Sequence, residues 1–276
     1  MLLDRVIELG LEAVDKFPRR RRAPWPAQER TLKKLLKKAR KTVFGKAYGF
    51  QSLLDAEDTV MAFQQRVPAV DYNGMFNPWW ERVYEGEEGI TWPGGTEYFA
   101  MSSGTSNANT KYIPVTEATM KSLSRGAFRM FSSFPEYGLS EDVYTASWLA
   151  IGGTTQLTKQ GRRRFGYLSG INAREQPLWA RGFYKPGRRI ARIEAFDDRV
   201  EEIARNAHKW NIGVIVGIPH WVQITLERIL EIHKIEHISE IWPELELFVS
   251  GGADYKAYVK SFDRLIGHPI KYMNTY

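Results

Sequence analysis

The stretch Ile212-Gly213-Val214-Ile215-Val216-Gly217-Ile218-Pro219 carries the plainest structural signal in the chain. Its first five positions hold no polar side chain, and all but Gly213 are β-branched. A strand with that composition is buried on both faces, as in the middle of a parallel sheet. Gly217 and Pro219 end it, Trp221 to His237 reads as a helix, and Leu245 to Val249 reads as the next strand. The alternation extends to both sides. Val143 to Ile151 is an expected strand stopping at Gly152-Gly153, and Asp197 or Asp198 opens a helix to about His208. Helix Tyr255 to Ile266 and strand Ile270 to Met273 follow. Strands alternating with helices define an α/β layer with a largely parallel sheet.

Upstream the pattern is helical. Residues 2–16 place Leu3, Ile7, Leu11 and Val14 on one face, Pro18 ends that helix, and Pro24-Trp25-Pro26 reads as a turn before a helix from Ala27 to Lys41. Asp55 is the expected N-cap of a helix to Arg66, closed by Pro68, and a further helix from Tyr72 to Tyr84 contains Pro78. After a Trp92-Pro93-Gly94-Gly95 loop, Tyr98 to Met101 and Lys111 to Val115 read as short strands, and Thr116 caps a helix to about Phe131. The expected organisation is a helical N-terminal segment, 1–90, and an α/β nucleotide-binding region, 91–276. Lys271 to Tyr276 stop without a cap, turn or polar tail, so that region is expected to be incomplete at its C-terminus.

The 276-residue chain has no cysteine, which excludes disulfides, thiolate metal sites, iron–sulfur clusters and cysteine nucleophiles. No apolar run reaches the 18 or so residues of a membrane span. Asp4, Arg5, Glu8 and Glu12 interrupt the apolar pattern of the N-terminus, which is not that of a signal peptide. A cytoplasmic protein is expected. Of the formal charge of +7, Lys16 to Lys41 alone carries +11, leaving the remainder mildly acidic. Such an arm is either an electrostatic patch for an anionic partner or a solvated helix face, since Leu32, Leu35, Leu36 and Ala39 keep helical spacing. No interleaved aromatic platform accompanies it, and nucleic acid is not the expected partner.

Chemistry concentrates in Met101-Ser102-Ser103-Gly104-Thr105-Ser106-Asn107-Ala108-Asn109-Thr110-Lys111. Small residues let backbone N–H groups turn inward, hydroxyls add neutral donors, and Lys111 adds a point charge, which together suit a polyphosphate. The segment is not a Walker A loop, because no glycine precedes Lys111 and no Ser or Thr follows it. A polar strand–strand turn is the competing reading. Farther on, Gly251 and Gly252 follow an apolar strand and permit close approach to a flat ring, and Tyr276 offers a stacking face. A plain strand-to-helix turn and an ordinary strand aromatic are the alternatives there.

The Ser-Ser-Gly-Thr-Ser run with Lys111 behind it resembles the phosphate-binding loop of the adenylate-forming superfamily. The surrounding pieces are most similar to its auxin-responsive acyl acid–amido synthetase branch, including bacterial members. These pieces are Val67-Pro68 with Tyr72, Lys111-Tyr112-Ile113-Pro114, Trp242-Pro243, Ser250-Gly251-Gly252-Ala253-Asp254-Tyr255, and Ile270 through Tyr276. The resemblance implies the layered sheet-and-helix N-terminal domain of an adenylate-forming enzyme. It implies a ligase that uses ATP and Mg2+ to convert a carboxylic acid to an acyl-adenylate and passes it to an amino acid amine. Ser102, Ser103, Gly104, Thr105, Ser106 and Lys111 would bind the nucleotide phosphates; Gly251, Gly252, Ala253 and Tyr276 would hold adenine. Gly217, Ile218 and Pro219 resemble the segment lining the acyl pocket. On this reading the catalytic residues are unknown and no metal ligand is assigned, because the magnesium-binding acid, the ribose-binding aspartate and the mobile C-terminal domain lie beyond residue 276 in such enzymes. The chain alone is therefore expected to be inactive. It departs from the family at Ala108 and Thr110, where a second glycine and a proline are usual, and Ala108 restricts the loop.

Two other readings stay open. Coenzyme A could replace the amine acceptor, or the chain could be a non-catalytic nucleotide-binding protein that recruits an anionic partner through residues 16–41. His233-Lys234-Ile235-Glu236-His237 also matches an inverted zinc-protease pattern, against the plainer reading of a charged helix face.

Overall fold

The computed structural model describes residues 23–102, 110–176 and 182–275. The expected helix over 2–16 and the basic residues Lys16 and Arg19 to Arg22 lie outside them. By its contacts the chain divides into two compact units: one holds 124–158 and 166–275, the other 23–123 and 159–165.

The second unit begins with helix Pro24–Ala39. The Pro24-Trp25-Pro26 stretch is not a turn before this helix but its first turn, where a missing proline N–H costs nothing because that amide has no partner. Leu36 and Ala39 are buried against Phe50 and Leu53. Thr42 joins this helix to the next. Its hydroxyl donates to Ala39 O (2.7 Å) and accepts from Gly45 N (2.9 Å), capping Val43–Ala47. Gly45 is required at this junction, since a Cβ there would lie 2.1 Å from Ala39 O.

The helix expected from Asp55 to Arg66 is two, Phe50–Asp55 and Thr59–Arg66. Asp58, not Asp55, is the cap, accepting from Val60 N and Met61 N at 2.9 Å each. Asp71 caps Tyr72–Met75, and the chain then widens into a π-type turn, Phe76–Trp80, before Glu81–Glu85. Pro78 lies in that turn and cannot donate to the helical ladder, which accounts for the local widening.

Strands β1 (Tyr98–Ser102) and β2 (Lys111–Val115) form an antiparallel hairpin in a sheet ordered β2-β1-β5-β4, where β4 is Thr158–Gln160 and β5 is Arg163–Gly166. Phe99, Phe165, Val83 and Ile90 form its core, with Phe99 and Phe165 stacked at 5.4 Å.

The other unit is a five-stranded sheet, β6-β3-β7-β8-β9, with every defined pairing parallel. Its strands are β3 (Ser147–Ile151), β6 (Tyr184–Lys185), β7 (Ile212–Gly217), β8 (Leu247–Gly251) and β9 (Lys271–Thr275). Leu247 and Val249 pack with Val214 in one cluster, while Phe248 packs with Ile215 in another. Burial of both faces explains the uninterrupted apolar runs of β7 and β8.

The strand expected from Val143 begins later, because Asp142–Thr145 is a short helix. Val143 and Tyr144 are buried from that helix against Phe134 and Trp148. Helix Pro219–His233 ends where Lys234 takes a left-handed conformation (φ 53°), four residues before the expected end at His237. Among the described residues no helix is long and apolar enough to cross a membrane.

Candidate functional site

In the parallel-sheet unit the carboxyl ends of β3, β7, β8 and β9 share one edge. Register pairs Ile151 with Gly217, Gly217 with Ser250, and Gly251 with Thr275. Open parallel sheets bind ligands at this edge, where the chain leaves each strand. Gly217 is the close-packed position: a Cβ there would stand 2.7 Å from Ile151 O and 3.0 Å from Val222 Cγ2. Beyond it Ile218 is 36% exposed, and Pro219 opens a 15-residue helix whose positive end lies at the edge.

The turn after β8 is built differently. Gly252 has φ 80°, which an L side chain rarely adopts, and a Cβ on it would be 3.9 Å from Ile218 Cγ1. A Cβ on Gly251 would find only Thr275 Oγ1, at 3.8 Å. The expected acyl segment (Gly217, Ile218, Pro219) and adenine segment (Gly251, Gly252, Ala253) thus meet within one unit. Tyr276, the other expected adenine contact, follows β9 directly but lies outside the described residues.

The turn is braced by side chains that the sequence reading passed over. Ser250 Oγ donates to Ala253 O (2.6 Å), and Asp254 Oδ1 accepts from Lys256 N and from Asn274 Nδ2, each at 3.1 Å. The Asn274 bond, then the Lys256 amide, holds the Asp254 carboxyl below the usual aspartate range. A lowered folded-state value means that the ionised form supports the turn above the unfolded pKa, and that this support fades as pH falls through the folded one. Protection of the Lys256 amide in hydrogen exchange should therefore weaken in acid, below pH 3.8. In Asp254→Ala it should already be weak at neutral pH. Equal protection in both proteins at neutral pH would show that the carboxylate does not hold this turn.

In the hairpin unit, Ser102 and Lys111 are cross-strand partners, so the hydroxyl-rich segment leaves and re-enters the sheet at one place. Ser103, Gly104, Thr105 and Ser106 lie outside the described residues. Lys111 Nζ stands 5.4 Å above the ring of Tyr72. The Tyr72 hydroxyl accepts from Tyr112 N (2.9 Å), and partial burial, the largest influence, raises its pKa. Tyr72 therefore holds both the strand and the lysine. An aromatic four residues after Pro68 gave no hint of that role, since its partner lies 40 residues away.

Other candidates resolve as structure. Arg163 packs over Tyr84 (5.1 Å to the ring), and Arg164 pairs with Glu97 (2.9 Å). His233 Nε2 bonds Ala204 O at 2.8 Å, while His237, outside the helix, bonds Arg264 O through Nδ1 at 3.1 Å. The shared helix face that a zinc pair needs is absent. Among the described residues no three His, Cys, Asp or Glu side chains group to hold a metal ion.

These features define a class by fold: a parallel-sheet unit with a glycine turn on its carboxyl edge, accompanied by a helical and hairpin unit. Among solved structures, the chain is similar to "AtGH3.15 acyl acid amido synthetase in complex with 2,4-DB" (TM-score 0.70, 13% identity, 98% of this chain and 55% of that one). It is also similar to "GH3.15 acyl acid amido synthetase" (0.64, 12%, 90% and 51%). A third likeness is to an open conformation of 2-hydroxyisobutyryl-CoA ligase in complex with 2-HIB-AMP and CoA (0.54, 10%, 90% and 52%). The chain spans about half the length of these proteins. A comparison with curated proteins finds no match. The model of the GH3 family N-terminal domain matches residues 13–161, over half of the chain, and the chain belongs to that family.

Proposed function

We propose that this chain is the N-terminal portion of an ATP-dependent ligase that joins a carboxylic acid to the amine of an amino acid. The observation that carries the reading is the meeting of Gly217–Pro219 with Gly251–Ala253 on one sheet edge, in a chain of the GH3 family. On that edge two glycines without side chains would let adenine approach the backbone, beside an exposed apolar residue, Ile218, that would contact the acid. The hydroxyl-rich segment between Ser102 and Lys111 would take the phosphates, and Tyr276 would stack on the base.

In the first step a carboxylate oxygen attacks the α-phosphorus of ATP, and the bond to pyrophosphate breaks. In the second, the amine nitrogen attacks the acyl carbon, AMP leaves, and the amine proton passes to solvent. Both steps ask for positioning and charge neutralisation more than for covalent participation by the protein.

The test is acid-dependent exchange of labelled pyrophosphate into ATP by the full-length protein, followed by single-turnover transfer to amino acids or to coenzyme A. Exchange followed by amide formation supports the reading. Thioester formation instead would favour the coenzyme A acceptor, and no exchange with any of a broad panel of acids would overturn the ligase. Salt-sensitive retention on heparin without exchange would favour a partner-binding role for residues 16–41.

A further inference from the structure

Arg199 is a charged side chain in the wrong place for a surface helix. It lies in helix Phe196–Asn206, on the same face as Val200, Ile203 and Ala204, and is only 7% exposed. No carboxylate pairs with it among the described residues. Its guanidinium instead donates to main-chain carbonyls: Nη1 to Ile193 O (2.5 Å) and Glu194 O (3.3 Å), and Nη2 to Gly152 O (3.1 Å). The group also lies 5.7 Å from the Phe196 ring centroid. A buried cation without a counter-ion is costlier to keep than an apolar side chain of the same volume. Arginine alone offers several fixed donors to gather carbonyls from separate segments.

What those bonds hold is the backbone leaving β3. Gly152 follows Ile151, whose carbonyl is the atom against which Gly217 is packed. The next residues are fixed from several sides: Gly153 N donates to Ser169 Oγ (3.0 Å), Thr155 N to Ala191 O (2.8 Å), and Gln156 N to Thr154 Oγ1 (3.0 Å). Gly153 and Gly170 leave no space for movement. A Cβ on the first would meet Tyr167 at 2.6 Å, and one on the second would meet Thr154 O at 2.1 Å. The segment is half-buried and borders the strand end that carries Gly217, Ile218 and Pro219.

We infer that Arg199 is a positioning residue for the acid subsite: by gathering the carbonyls of Gly152, Ile193 and Glu194 it fixes the turn after β3 as the wall beside Gly217–Pro219. The assignment to an acid subsite rests on the ligase reading above; the fixing of the turn does not.

Arg199→Lys keeps the charge and loses the fork, and Arg199→Gln loses both. In the full-length protein, each variant should raise the KM for the acid about 10-fold in pyrophosphate exchange. KM for ATP and kcat should stay within about threefold. Hydrogen exchange of peptides covering 147–157 should accelerate in both variants, while peptides from β8 keep wild-type rates. A global loss of stability would instead accelerate both regions and lower kcat, which would overturn positioning as the role. Wild-type exchange rates at 147–157 in folded variants would also overturn it, whatever the activity. Should the wild-type protein show no pyrophosphate exchange, the ligase reading falls, and the hydrogen-exchange pattern still decides whether Arg199 fixes the turn. Accelerated 147–157 with an unchanged acid KM would remove the turn from the acid subsite.

Discussion

Replacing Lys111 with alanine is expected to lower acid-dependent pyrophosphate exchange about 100-fold, with the loss shared between kcat and the KM for ATP. The lysine stands at the exact point where the hydroxyl-rich segment rejoins the sheet, opposite Ser102, with its ammonium over the Tyr72 ring. Leaving an exposed or half-exposed ring costs about 0.5–1 kcal/mol. A charge-assisted bond to a phosphate oxygen is worth more, about 1.5–3 kcal/mol, so the ring can hold the lysine ready without competing for it. Removal of a donor that stabilises developing charge typically costs a factor of 10² to 10³. The lower end is expected, because on the proposed reading hydroxyls and amides of the same segment would share the phosphate charge. Lys111→Arg should recover part of the rate. Tyr72→Phe keeps the ring, loses the hydroxyl's bonds to Tyr112 N (2.9 Å) and Tyr112 O (3.4 Å), and should stay within about threefold. Full activity in a folded Lys111→Ala protein would take the lysine out of the phosphate site.

The parts of the fold that could be read from the sequence are those where one physical demand dominates. β7 and β8 are buried on both faces, and that demand writes itself as an unbroken apolar run. Gly251-Gly252 after such a run reads equally as a plain strand-to-helix turn, and only the family resemblance favoured a ligand there. The misreadings fall where two local solutions compete. Asp55 and Asp58 are both plausible caps, and the choice goes to Asp58 because the preceding helix, Phe50–Asp55, already occupies the other aspartate. Val143-Tyr144-Thr145 has strand propensity, yet its two buried side chains pack from a helical turn. Lys234 ends a helix in a left-handed conformation that glycine usually takes, so no residue type announced the stop. Arg199 did leave a trace, as a charge on the apolar face of its helix. Its meaning depends on carbonyls 6 and 47 residues away, which spacing along the sequence does not reveal.

The largest effect on stability is expected from Trp242→Ala, about 3–5 kcal/mol, read as a lower denaturant midpoint with little change in slope. Trp242 is fully buried and among the largest such side chains in the protein. It sits in the core cluster with Ile203, Ala207, Leu226, Ile238 and Phe248, so truncation leaves a cavity among residues from several elements. It also spends its polar atom well: Nε1 donates to Ala207 O at 3.0 Å. Ala207 follows helix Phe196–Asn206, and Trp242 comes five residues before β8, so this one bond ties the end of the Arg199 helix to the approach of the glycine-turn strand. Trp242→Phe separates the two contributions. It keeps most of the ring volume and removes one of the two bonds to Ala207 O, which still accepts from Trp210 N (3.1 Å), a loss of about 0.5–1.5 kcal/mol. If the phenylalanine variant loses as much as the alanine one, the hydrogen bond and not the cavity governs this site. If it loses almost nothing, the bond from Trp210 N alone satisfies Ala207 O and ring volume governs the site. The intermediate result is the expected one, because the ring fills the volume and the indole N–H is the second of two donors to Ala207 O, beside Trp210 N.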